Sequence, residues 1–213
     1  MEKINKAQNV IEYYVLCNKL KDVIRTGWKQ WNVQRERIES VAEHVYAVQQ
    51  LAIAMWSQYE YDVDIRKVIM MIAVHELEEI IIGDLTLFDM PNEEKQKRGY
   101  EAIELILKDL SQKEQIKELK IEFEERKTKE AIFAYQCDKL ECDIQSKLYD
   151  EDGGVELSNQ STNPVINDPE VQRFVNSGKT WSEAWITFSR ERYNYDPNFT
   201  EVSEYVEKND IGV

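Results

Sequence analysis

Basic residues, glycine, proline and histidine are all scarce in this chain, and each scarcity argues against a class of protein. Lysine and arginine number 27 against 41 aspartates and glutamates, a formal charge of −14 over 213 residues. Such a surface repels polyanions, because holding a nucleic-acid backbone requires basic groups that release its counterions. Polymeric DNA or RNA is therefore not an expected partner. A small phosphorylated ligand still is, since a few local cations or a metal can reverse the potential inside one pocket. With only seven glycines, four prolines and almost no strand-like alternation, the chain leaves little room for sheet. Three cysteines, Cys17, Cys137 and Cys142, cannot all pair within the chain, and no signal-peptide pattern precedes the first helix, which suits a reducing cytoplasm. Every apolar run is broken by charge well short of bilayer length, so no membrane span is expected.

What the chain does contain is helical pattern. Its length suits a single all-α domain with a real core. A first amphipathic helix is expected over about 5–22, with Val10, Tyr14, Leu16 and Leu20 available for its buried side. After the polar stretch "RTGWKQWNVQRER", Ser40 and Glu43 form a capping box that opens a helix over about 41–58, placing His44 in its first turn. Asp64 caps an apolar helix over about 65–82 that stops at Gly83 and reads as the centre of the domain. "TLFDMPNEEK" reads as a loop, with Asn92 capping a helix over 93–110; a charged helix follows near 112–125. Thr128 then opens a helix over about 129–149, whose apolar face carries Ile132, Tyr135, Asp138 and Cys142. The stretch from "DEDGG" to about 178 reads as a long loop. Helices over about 179–193 and 199–208 are expected to pack back through Trp181, Trp185, Phe188 and Tyr205.

Only two histidines occur, and each stands beside acidic residues on predicted neighbouring helices. In "AVHELEEIIIGD", His75 and Glu79 are four apart and so share a helix face, while Glu76 lies about 100° around it. His44 and Asp138 come from two further helices. Two imidazoles with two carboxylates suit manganese, iron, cobalt or zinc better than magnesium or calcium, which prefer oxygen alone. A lone histidine on an apolar face is more often a hydrogen-bonded core residue than a ligand, and a lone glutamate is usually solvated. The pattern by itself leaves both readings open.

"ESVAEH", "HELEEIIIGDLT" and "CDKLE" resemble, in order, the motifs of the HD-domain metal-dependent phosphohydrolases: a His, a His-Asp pair and a later Asp. The resemblance is closest to the branch of bacterial 5′-deoxynucleotidases. There an "RTGW" segment precedes the first histidine, a "GD" follows the pair and a "T-x-E-A" helix start precedes the last ligand; here these are Arg25 to Trp28, Gly83-Asp84 and Thr128 to Ala131, and "NEEK" also fits. It covers roughly residues 20–150 and implies a helical bundle of the HD type, a divalent metal held by His44, His75, Glu76 and Asp138, and a homodimer. It further implies catalytic carboxylates at Glu79 and Asp84, a phosphate-binding Arg25, and Trp28 lining a nucleoside pocket unless it is simply a core residue. Glu78, Arg35 and Arg37 are expected to be solvated, and Cys137 and Cys142 to fill the core.

One departure stands out: the pair is His75-Glu76 rather than His-Asp, so its carboxylate reaches one methylene further. The expected activity is release of phosphate from a small phosphomonoester, foremost a (deoxy)nucleoside 5′-monophosphate. Two alternatives stay in view. One is an HD-fold metal- or nucleotide-binding regulatory module with weakened turnover, and the other is a helical scaffold in which His44, His75 and Asp138 never meet. Alarmone hydrolysis is disfavoured, because the acidic dyad of that branch would fall on Glu79 and Ile80.

Overall fold

A computed structural model describes residues 5–86, 89–163 and 165–212, without the side chain of Asn92. Among these residues the fold is helical, with α1 Lys6–Asn18, α2 Thr26–Gln30, α3 Val41–Tyr59, α4 Ile65–Val74, α5 Glu79–Ile82, α6 Asn92–Leu107, α7 Lys113–Glu125, α8 Lys129–Glu151, α9 Pro169–Val175, α10 Trp181–Tyr193 and α11 Pro197–Lys208. The only extended pairing among them is one isolated antiparallel bridge between Ile24 and Ser40.

Helix starts follow the side chains that satisfy their free amides. Ser40 and Glu43 form the capping box of α3, Asp64 accepts from the Arg66 amide, and Thr128 accepts from the Ala131 amide. Asp-Pro pairs open α9 and α11, with the aspartate as cap and proline in the first turn. Helix α6 begins at Asn92 with Pro91 in the capping position. A cap made by the Asn92 side chain, and the Leu87-Phe88 part of the expected loop, lie outside the described residues.

The centre of the bundle is α8, not the 65–82 segment. It packs against α3, α4, α7, α10 and α11, and buries Gln136, Asp138, Glu141, Asp143 and Ser146 beside its apolar residues. Its first turn is rotated from the expected face: Phe133 is buried and Ile132 exposed. Helix α1 is rotated as well. Val10 and Tyr14 are 58% and 61% exposed, while Tyr13 and Cys17 meet the core together with Leu20, which is buried as expected just past the end of the helix. Both rows are apolar, so periodicity alone does not choose between them. In α11 the buried set is Phe199, Ser203 and Val206, leaving Tyr205 exposed. Trp181 is buried as expected, and Phe188 packs edge-on against Phe174 of α9, a helix within the stretch that reads as loop. No helix among the described residues is long and apolar enough to cross a membrane.

Candidate metal centre and its cavity

The two histidines converge. His44 from α3, His75 at the end of α4, Glu76 beyond it and Asp138 from α8 each offer one donor atom, and these atoms all lie within 4.8 Å of one another. His44 Nε2 is 3.1 Å from Asp138 Oδ1, and His75 Nε2 is 3.8 Å from the same oxygen and 3.6 Å from Glu76 Oε1. Three distant segments thus meet at one point, which rules out the scaffold with scattered carboxylates. The longer arm of Glu76 still reaches the cluster.

Each imidazole is aimed through its second nitrogen. His75 Nδ1 is 2.7 Å from the carbonyl of Ile72; a carbonyl only accepts, so Nδ1 carries a proton and Nε2 is the nitrogen turned toward the cluster. That Nε2 is buried and has no hydrogen-bond partner. His44 Nδ1 is 2.6 Å from Glu141 Oε2, a carboxylate one turn beyond Asp138 on α8. An orphaned buried ring nitrogen among carboxylates, with each ring steadied by an acceptor behind it, fits a divalent cation of the nitrogen- and oxygen-binding kind.

Neighbouring charges offset the cost of burying the cluster's side chains. Burial opposes ionisation of Asp138, yet Lys139, His44 and His75 hold its carboxyl well below the usual range. Burial likewise opposes Glu76, but His75, Lys120 and Lys95 bring it down to about 2. His44 is pushed up to about 9, because Glu141 and Asp138 outweigh its burial and the nearby Arg25.

The segment carrying His75 is not the continuous helix expected over 65–82. Helix α4 ends at Val74, and the chain passes through successive turns to α5 at Glu79. The amides of His75, Leu77, Glu79 and Ile80 bond to the carbonyls three residues back, of Ile72, Val74, Glu76 and Leu77. Three residues per turn advance about 120° per residue instead of about 100°. Residues three apart then eclipse, so Glu76 and Glu79, rather than His75 and Glu79, share a face. The His75 Nδ1 bond to Ile72 favours this winding, since it occupies a carbonyl that a regular helix would offer to the amide of Glu76.

Glu79 is 1% exposed, and neither of its oxygens has a hydrogen-bond partner. Lys95 Nζ stands 3.7 Å away. Burial, with Glu76 and Asp84 adding to it, pushes the carboxyl of Glu79 well above its usual range despite Arg25 and Lys95. Glu78 is not solvated: it is 5% exposed and ion-paired to Lys120 of α7.

Glu76, Glu79 and Asp84 border a cavity of about 310 Å³ together with three cations, Arg25, Lys95 and Lys139. Arg25 is fixed by the strand-like bridge beside it, its amide donating to the Glu39 carbonyl. Its Nη2 lies 3.3 Å from Cys142 Sγ and its Nη1 3.9 Å from Glu76. Cys142 therefore lines the cavity, whereas Cys137 is in the core. Asp84 Oδ2 accepts from the Thr26 amide at 2.6 Å, tying the Arg25 loop to the turn after α5. Lys139 Nζ sits 2.7 Å from Asp138 Oδ2 and over the rings of Tyr135 and Tyr193. Arg35 and Arg37 stay at the surface, paired with Asp152 and Glu43.

Part of the cavity wall is aromatic. Trp28, Trp31, Trp181 and Trp185 form one cluster, with Trp28 and Trp185 ring centroids 5.2 Å apart, and all four border the cavity. Trp28 is both core and wall, its Nε1 donating to Glu39 at 2.8 Å. Phe174 and Val171 of α9 complete this wall. Sequence reasoning missed Glu141, Cys142, Lys139, Lys95 and α9. Glu141, three residues beyond Asp138, was findable by helical spacing, and α9 by its Asp168-Pro169 start; Lys95 and Lys139 lie inside "NEEK" and "CDKLE", but no local pattern marks either lysine as facing a cavity.

This helical bundle, with two histidines and two carboxylates at its centre, defines the class: the family model described as HD domain matches residues 17–172, and the chain belongs to the HD-domain family. Among curated relatives, human 5′-deoxynucleotidase HDDC2 is 31% identical over 79% of this chain and 84% of its own length. The Schizosaccharomyces pombe 5′-deoxynucleotidase hdd1 is 30% identical over 80% of this chain and 89% of its own. Among solved structures, the PH0347 protein of Pyrococcus horikoshii OT3 shares the fold with a TM-score of 0.66, at 24% identity over 93% of this chain and 98% of that one. A predicted metal-dependent phosphohydrolase from Magnetospirillum magnetotacticum MS-1 shares it with a TM-score of 0.61, at 20% identity over 94% and 96%.

Proposed function

We propose that this protein is a metal-dependent phosphohydrolase that releases phosphate from a nucleoside 5′-monophosphate, a deoxynucleotide foremost. The observation that carries the reading is one cavity whose wall joins Glu76, a member of the four-donor cluster, and three cations to four tryptophans. A phosphate matches the charged groups and a nucleobase the tryptophans. The relatives named 5′-deoxynucleotidase support the same reading.

His44, His75, Glu76 and Asp138 would hold the cation, and two imidazoles favour manganese, cobalt, iron or zinc over magnesium. A cation bound there supplies Lewis acidity toward a phosphate oxygen and lowers the pKa of water beside it. Arg25 offers two parallel donors to the phosphate, and Lys95 and Lys139 add positive charge in the same cavity. Glu79 is the proton-transfer group, because its carboxyl has no hydrogen-bond partner and burial shifts it toward the protonated form that can serve a leaving oxygen. Asp84 is the second carboxylate of the site; one of its oxygens orders the loop of Arg25 and Thr26. The tryptophan wall excludes water and stacks the base.

A homodimer is the proposed assembly, supported by Val10, Ile11, Tyr14 and Val15 lying exposed on α1. A reducing cytoplasm is the proposed setting, supported by three free thiols.

The test is phosphate release from a panel of ribo- and deoxynucleoside monophosphates, with ribose 5-phosphate as a control, in added manganese, cobalt, zinc or magnesium. Turnover of nucleotides at least tenfold above ribose 5-phosphate is expected. Metal-loaded protein that binds nucleotides but releases no phosphate would instead identify a regulatory module.

A further inference from the structure

Winding the chain three residues per turn between His75 and Glu79 leaves a gap in the helical ladder. In a regular helix the His75 carbonyl would accept from the Glu79 amide, but that amide bonds to Glu76 instead. The freed carbonyl is buried and accepts from Lys120 Nζ of α7. Lys120 is itself 4% exposed, and its ammonium also pairs with Glu78 and with Glu124 at 3.1 Å. A buried ammonium is costly unless every donor is used, and here carbonyl and carboxylates together use them. The same helix presses the Phe123 ring against His75, centroids 5.0 Å apart.

We propose that Lys120 is a positioning residue for the metal centre. By holding the His75 carbonyl and Glu78, it keeps residues 75–79 in the tight winding that brings His75 Nε2 and Glu76 Oε1 to the site shared with His44 and Asp138. Regular helix and tight turn differ by about 80° in the relative direction of side chains four apart. Relaxing the turn therefore pulls His75, Glu76 and Glu79 out of their common arrangement. The inference rests on the metal-binding reading for its consequence, but not for its geometry.

The deciding variant is Glu78→Gln with Lys120→Met, which removes the ion pair as a unit and leaves no lone buried charge. Its melting temperature should stay near that of the parent protein, while manganese or cobalt binding, followed by calorimetry, weakens at least tenfold. Amide exchange at Glu79 and Ile80, followed by NMR without metal, should quicken at least tenfold. A folded double variant with parental metal affinity and parental exchange overturns the proposal. Glu78→Gln alone keeps the ammonium on the carbonyl and should keep metal affinity within twofold. A tenfold loss there overturns the proposal even if the double variant fails to fold, because the position would then depend on the Glu78 charge. A parent protein that binds no metal would count against the phosphohydrolase reading only, and the exchange measurement would still decide the role of Lys120.

Discussion

His44 and Glu141 are joined by a 2.6 Å hydrogen bond at the opposite side of the ring from Asp138. The carboxylate fixes the ring's orientation and raises the basicity of Nε2, so under the proposed ligand set Glu141 would tune the affinity for a cation through His44. Glu141→Gln should therefore bind manganese or cobalt about 10–100-fold more weakly than the parent while folding normally. Competition against a chelator of known affinity measures this.

His75 and Glu79 should separate cleanly in the same assay. His75→Ala removes a ligand, so metal content after dialysis and turnover should both collapse. Glu79→Gln removes only the proton, so metal content should stay at the parental level while kcat falls about 10²–10⁴-fold. Metal analysis alongside initial rates distinguishes the two, and parental turnover in Glu79→Gln would disprove its proton-transfer role.

Arg25→Lys should raise KM for the phosphorylated substrate at least tenfold, because a point charge replaces a two-pronged donor. With an unphosphorylated nucleoside as ligand, binding should be unchanged within about twofold. Equal losses for both ligands would place Arg25 outside phosphate recognition.

Asp143 carries a pH signature of stability. It is fully buried on α8, accepts from the Tyr195 hydroxyl at 2.8 Å through Oδ2, and leaves Oδ1 without a partner. Burial pushes its carboxyl up to about 8, against the opposing influence of Ser189, Tyr195, Arg190 and Trp185. The folded protein thus keeps a proton that the unfolded chain loses near 3.8, the ordinary value for aspartate. As pH rises between these values the unfolded state binds fewer protons, so the contribution of Asp143 to stability falls. Asp143→Asn should stabilise the protein by roughly 1–3 kcal/mol near pH 8 and not at all near pH 4. Thermal melts at the two pH values test this, and an equal effect at both would remove Asp143 as the cause.

Much of this arrangement is legible in the sequence, because it depends on local chemistry. Ser40 with Glu43, Asp64 and Thr128 announce three helices through groups that only a helix start needs. His44, His75, Glu76 and Asp138 are distinctive as polar residues set among apolar ones. The face of α1 was not legible, since two apolar rows lead to the buried Leu20 and only the rest of the bundle selects Tyr13 and Cys17 over Val10 and Tyr14. Nor was the break at His75, which depends on Lys120, a residue 45 positions away that reads as one more surface lysine in a charged helix. The aromatic wall of the cavity joins Trp28 and Trp31 to Trp181 and Trp185 across most of the chain, a pairing that no local pattern carries.

That concentration of indoles makes the protein its own optical reporter. Four of its five tryptophans touch one another around the cavity, while Trp56 stands apart and partly in water. Emission from the group is shielded from an aqueous quencher such as iodide, and that from Trp56 is open to it. A ligand sliding between the rings dims the shielded component alone, so occupancy can be followed by light before any bond is broken.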